Sequence, residues 1–245
     1  MKIQIVIFFT VALALIFAAG TNAATVNIQN NCGRTIWPAT QSGSGSSQLS
    51  TTGFELASGA SQSIEIPAGP WSGRFWGRDG CSTDSSGRFA CASGDCASGT
   101  VECNGAGGVP PTTLVEITVA ENGGQDFYDV SNVDGFNLPV SVRPEGGNGD
   151  CQESTCPNNL NDGCPADLQY KSGDDVVGCL SSCAKYNMDQ DCCRGAYDSP
   201  DTCTPSESAN YFEQQCPQAY SYAYDDKTST FTCSGGPNYL ITFCP

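Results

Sequence analysis

"TLVEITVAENGGQDFYDVSNVDGFN", residues 113–137, sets the frame for the rest of the chain. Asn122-Gly123 lies between two runs that read as strands. It is the pair that two-residue hairpin turns favour, because both central positions need a positive φ. With the turn there the register follows, position i facing position 245 − i. Val115, Ile117 and Val119 point to one face and Glu116 to the other. Glu116 then stands directly opposite Asp129, with Cβ atoms about 4.5–5.5 Å apart, and Asp134 follows in the same strand exit. Like charges directly opposite each other destabilise a sheet, so two carboxylates here call for a role or a compensating cation.

Outward from this hairpin the chain keeps the same character. "ATVNIQNNC" (24–32) alternates like a half-buried strand, and "TIWPAT", "GFELA", "QSIEIPAG" and "RFWGR" follow at short intervals between Gly/Ser turns. "GFNLPVSVRP", "STFTC" and "NYLITFCP" read as further strands, with Pro139 at an edge or bend. This is the pattern of an antiparallel sandwich or barrel. Three stretches, 24–80, 109–150 and 217–245, are assigned to the sandwich. Residues 81–108, rich in Cys, Gly and Ser, form a small stapled loop domain, and 151–216 form a disulfide-rich domain with a helix. The helix is placed at "DDVVGCLSSCAKY" (174–186), where Val176, Cys179, Leu180 and Cys183 share one helical face.

The chain opens on "MKIQIVIFFTVALALIFAAGTNA", an apolar run after one Lys with small residues at its end. It reads as a secretory signal peptide, 1–23, rather than a membrane span, and no second apolar run of that length follows. All 16 Cys lie after it, and an even, dense set behind a leader means a disulfide framework in an oxidising compartment. Metal binding is the rival reading, but the chain has no His and its Cys are unevenly spaced. No cofactor or metal is expected.

Without His, a Ser-His-Asp or Cys-His triad is impossible, and paired Cys leave no thiol nucleophile. Carboxylate remains for acid–base chemistry. The formal charge is −16, or −17 once Lys2 leaves with the leader. That argues against nucleic acid and anionic lipid as partners and suits a neutral sugar, a cation or a basic surface. It equally suits plain solubility. No Asn-x-Ser/Thr site is present. A secreted, extracellular monomer is expected.

"GRFACASGDCASGTVEC" (87–103) resembles the Gly-x-Phe-x-Cys-x-Thr-Gly-Asp-Cys signature of the thaumatin-like family, with Ser93 in place of Thr. The likeness runs through "PPTTLVEI", "FYDVSNVDGFNLPVSV", the adjacent Cys192-Cys193 and the "NYLITFCP" end. It implies a flattened β-sandwich with two disulfide-rich side domains and eight disulfides. The family's bridge order joins Cys32 to Cys244, Cys81 to Cys91, Cys96 to Cys103 and Cys151 to Cys233. It also joins Cys156 to Cys216, Cys164 to Cys179, Cys183 to Cys192 and Cys193 to Cys203. Members are plant defence proteins, many antifungal and some allergens. Some bind or weakly cleave β-1,3-glucan.

The resemblance also implies an acidic cleft of one Arg, one Glu and three Asp. Arg74, Glu116, Asp129 and Asp134 match four of these. The third Asp is Asp225 or Asp226, and where many relatives carry Asp this chain has Gln218. The cleft would bind β-1,3-glucan or a basic surface partner. Catalysis, if present, would use Glu116 as acid and Asp129 or Asp134 as base or nucleophile, on the two-carboxylate plan of glycoside hydrolases. Mutual repulsion would raise one pKa and Arg74 would oppose that rise. The rivals are a structural charge network without chemistry, or an inert storage or stress protein. Trp76, Phe127, Tyr128, Tyr220, Tyr222 and Tyr224 are candidates for stacking on sugar rings.

Overall fold

The computed structural model describes residues 24–245, so the expected leader lies outside the described residues. In chain order the strands are β1 (Thr25–Asn30), β2 (Trp37–Ser42), β3 (Ser61–Glu65), β4 (Trp71–Arg78), β5 (Ser82–Thr83) and β6 (Phe89–Ala90). β7 (Leu114–Val119), β8 (Gln125–Ser131), β9 (Val140–Glu145), β10 (Ser154–Cys156), β11 (Gln169–Ser172) and β12 (Asp175–Cys179) follow. Two short helices come next, α1 (Ser182–Tyr186) and α2 (Glu207–Gln215), then β13 (Ala219–Tyr220), α3 (Asp226–Ser229), β14 (Phe231–Ser234) and β15 (Asn238–Phe243).

Two sheets make the sandwich. The first runs β10-β9-β15-β1-β3; the second runs β13-β8-β7-β4-β2, with β14 also paired to β8. Pairing is antiparallel except for β1 with β15 and β13 with β8. The parallel β1–β15 pair brings the ends of both strands together, and Cys32–Cys244 closes there across 212 residues of sequence. In β1 the alternation is literal: Val26, Ile28 and Asn30 are buried, while the residues between them are not. The core lies between the sheets, where Val26, Ile28, Phe75, Val115, Ile117, Tyr128, Val130, Tyr239 and Ile241 meet.

The β7–β8 hairpin has the register read from its sequence. Glu116 pairs with Asp129, Ile117 with Tyr128 and Thr118 with Phe127. Asn122 and Gly123 both take positive φ, 55° and 69°, and Gly124 N–H closes the turn on Glu121 O at 3.0 Å.

Eight disulfides form: 32–244, 81–91, 96–103, 151–233, 156–216, 164–179, 183–192 and 193–203, the same pairs that the resemblance implies. No cysteine is free. A bridge of this kind stabilises by about 2–4 kcal/mol, chiefly by restricting the unfolded chain.

The helix expected over 174–186 forms only in its second half, Ser182–Tyr186, while the first half, Asp175–Cys179, is a strand. β11 and β12 form a hairpin, turning at Gly173 with φ of +64°. β-branched Val176 and Val177 favour the extended chain, and the Cys164–Cys179 bridge holds its end. Helix begins only at Ser182, where the Ser181 hydroxyl accepts from Ala184 N–H and caps it. α2, unmarked in the sequence reading, is capped the same way by Ser206 accepting from Ala209 N–H.

Arg78 is fully buried. It donates to Trp37 O at 2.9 Å and to Val101 O at 2.7 Å, and its guanidinium stands 5.3 Å from the Phe89 ring centroid. Trp76 on the same face is also fully buried and donates to Gly94 O at 2.8 Å. Together they seat the stretch Phe89–Val101 on the outer side of β4. Gly53 is needed there, since a Cβ would meet Val101 O at 2.2 Å.

Candidate functional site

The pleat decides which side chains leave the second sheet outward. On β8 Asp126, Tyr128 and Val130 turn into the core, while Phe127 and Asp129 turn away from it. On β7 Glu116 and Thr118 do the same. β4 pairs antiparallel with β7 so that Arg74 stands directly opposite Glu116, and Gln41 on β2 stands opposite Arg74. One rung of the sheet thus reads Gln41, Arg74, Glu116, Asp129 across four strands. The cation missing from the hairpin alone is supplied by the next strand. Arg74 Nε donates to Glu116 Oε1 at 2.8 Å. Both side chains are partly exposed, so the pair contributes about 0.2–1 kcal/mol to stability.

An open groove crosses this rung. On one side of the Arg74–Glu116 pair a cleft of about 290 Å³ is lined by Asp129, Ser131, Asp134, Tyr220, Ala223 and Asp226. On the other side a cleft of about 370 Å³ is lined by uncharged polar groups, among them Gln41, Ser42, Ser72 and Thr118. Asp134 is placed by a tight turn in which Gly135 N–H donates to Asn132 O at 2.8 Å, with Gly135 at φ of +90°. Asp226 opens α3, and Tyr220 OH donates to its Oδ1 at 2.8 Å.

The structure separates the two acids that the sequence left open. Asp226 lines the groove. Asp225 turns back instead and accepts from Ser221 N–H at 3.0 Å and Ser221 Oγ at 2.7 Å, which fixes the loop that carries Asp226. The Gln218 carbonyl accepts from Ser154 Oγ at 3.2 Å, and Gln218 is not among the groove-lining residues.

Asp129 is half-buried, but its Oδ1 is out of water and receives no hydrogen bond from the protein. Burial pushes its carboxyl well above the usual carboxylate range. Glu116 and Asp226 add to that rise, and Arg74 opposes it. Burial also raises Asp134, again against Arg74. Desolvation, rather than the mutual repulsion expected from the sequence, is therefore the leading cause.

The stacking candidates divide. Trp76 and Tyr128 are fully buried and cannot reach a ligand. Phe127 is 46% exposed on the groove side of β8, opposite Thr118. Tyr220 lines the acidic cleft. Tyr222 belongs to a separate small cavity against Cys183 and Cys192. Among the described residues no cluster of His, Cys, Asp and Glu could hold a metal ion, and no helix is long and apolar enough to cross a membrane.

A disulfide-stapled β-sandwich with an acidic groove, one arginine set among its carboxylates, defines a class of protein. The chain belongs to the Thaumatin family, whose model matches residues 30–245. It is 58% identical to "Thaumatin-like protein 1a" of Malus domestica over the whole of both chains. It is 54% identical to "Glucan endo-1,3-beta-glucosidase" of Prunus avium over 98% of each chain. It is 50% identical to "Pathogenesis-related protein 5" of Arabidopsis thaliana, over 99% of this chain and 97% of that one.

Proposed function

We propose that this is a secreted plant defence protein whose groove binds β-1,3-glucan, the polymer of fungal walls. The observation that carries the reading is the rung Arg74, Glu116, Asp129 with Asp134 and Asp226 beside it, in a groove open enough for an extended chain. Ionised and neutral oxygen acceptors, one guanidinium and hydroxyls suit the hydroxyl groups of a neutral sugar. The relatives named as a glucan endo-1,3-beta-glucosidase and as a pathogenesis-related protein support the polymer and the setting. The leader-like N-terminus and eight disulfides support secretion.

The experiment is retention on insoluble β-1,3-glucan. Wild type is expected to be retained, and Glu116→Gln or Asp134→Asn to lower retention severalfold. Equal retention of both variants removes the groove as the site.

A second reading, slow endo-β-1,3-glucan hydrolysis, is favoured by one observation: Asp129 with a raised pKa faces Glu116 across a single rung. Acid and base chemistry needs one carboxyl protonated and the other not, which gives a bell-shaped pH profile. Reducing-sugar release that persists unchanged in Glu116→Gln would trace to another enzyme and end this reading.

A further inference from the structure

Two carboxyls stand opposite each other in the groove, and their surroundings differ. Glu116 holds Arg74 Nε at 2.8 Å, so one of its oxygens has a cationic donor in contact. Asp129 has no cation in contact, and its Oδ1 lies out of water with no donor from the protein. An anionic oxygen in that position gives up hydration without a hydrogen bond in return, whereas a neutral carboxyl does so at far lower cost. We infer that Asp129, not Glu116, carries the proton of the groove and donates it as a hydrogen bond to a bridging oxygen of bound β-1,3-glucan. The inference rests on the glucan reading above. It reverses the roles expected from the sequence, where Glu116 is the acid.

The chemistry of the ligand fits this assignment. A bridging oxygen between two sugars carries no hydrogen and only accepts. A carboxylate only accepts as well, so an all-ionised groove meets that oxygen with Arg74 and hydroxyls alone. A neutral Asp129 adds a donor at the centre of the rung. The charged and titratable groups that share the groove with it are Glu116 from β7, Arg74 from β4, Asp134 from the turn after β8, Tyr220 from β13 and Asp226 from α3. The neighbouring β14, Phe231–Ser234, brings none. Of these, Glu116 and Asp226 favour the neutral form of Asp129 and Arg74 disfavours it, with burial the largest influence.

Two measurements test the proposal, and they fail separately. The first needs no ligand: side-chain carboxyl carbon shifts are followed by NMR against pH in wild type, Asp129→Asn and Glu116→Gln. The expected result is that the most strongly raised carboxyl signal vanishes in Asp129→Asn and persists in Glu116→Gln, while the lesser rise of Asp134 remains in both. The opposite pattern overturns the proposal. The second is calorimetric binding of laminaripentaose across the acid range. If only protonated Asp129 binds, the apparent Kd rises about tenfold per pH unit above its pKa. Asp129→Asn keeps a donor but cannot ionise, so its affinity, whatever its level, should lose that slope. A slope that persists in Asp129→Asn overturns the donor role. No binding by any form, with the NMR result as expected, refutes the glucan reading and the donor role but leaves the proton on Asp129.

Discussion

Asp129→Asn should stabilise the protein at neutral pH and leave that gain behind in acid. In the folded chain the Asp129 carboxyl is raised well above its ordinary value, first by burial and then by Glu116. In the unfolded chain it ionises near the ordinary value of an aspartate. Below that value both states are protonated and ionisation contributes nothing to the difference between them. As pH rises, the unfolded chain releases the proton first, so the folded chain binds more protons and stability falls until the folded pKa is passed. Each unit by which the folded pKa exceeds the unfolded one costs about 1.4 kcal/mol at neutral pH. For a domain of this size that corresponds to about 3–6 °C in Tm per unit. Asn has the same shape and no charge, so it escapes this cost. Denaturant unfolding with the disulfides intact, at pH 3 and pH 7, reads the effect. An Asn variant more stable by the same amount at both pH values, or less stable at pH 7, would refute the reasoning. Asp134→Asn should shift stability in the same direction, because burial raises that carboxyl too.

Arg78→Met should cost about 2–5 kcal/mol, because it takes the Arg78 donors from the partly buried Trp37 and Val101 carbonyls; hydrogen exchange should show the loss concentrated in 89–103, and an unchanged unfolding midpoint would contradict it. Reduction should unfold the chain while EDTA under non-reducing conditions leaves its circular dichroism unchanged, since all 16 Cys are paired and no metal cluster exists among the described residues; a large loss with EDTA alone would contradict this.

The hairpin was fully legible in the sequence because both of its determinants are local: Asn122-Gly123 supplies the positive φ values and the alternation supplies the face. Arg74 opposite Glu116 was not, because β4 and β7 meet from 42 positions apart and no local pattern fixes their register. Asp225 and Asp226 could not be told apart either, although the contact that separates them is local. Adjacent in sequence, they differ only in which one Ser221 turns away from the groove. Trp76, Arg74 and Arg78 do share a strand face, yet the folded-over segment 89–101 buries two of them and leaves Arg74 in the groove. Helical periodicity misled at 174–186, where Cys179 and Cys183 sit one helical turn apart. Val176, Val177 and the Cys164–Cys179 bridge hold the first half extended. The eight bridges followed from the family likeness, since spacing alone admits many pairings.

A crystal soaked with laminaripentaose at acid pH tests the groove as the ligand site most directly. The predicted result is density for at least one sugar over the Arg74–Glu116–Asp129 rung, with Asp134 or Asp226 within hydrogen-bond distance. An oligosaccharide bound elsewhere on the molecule, with this groove free of it, would contradict the account.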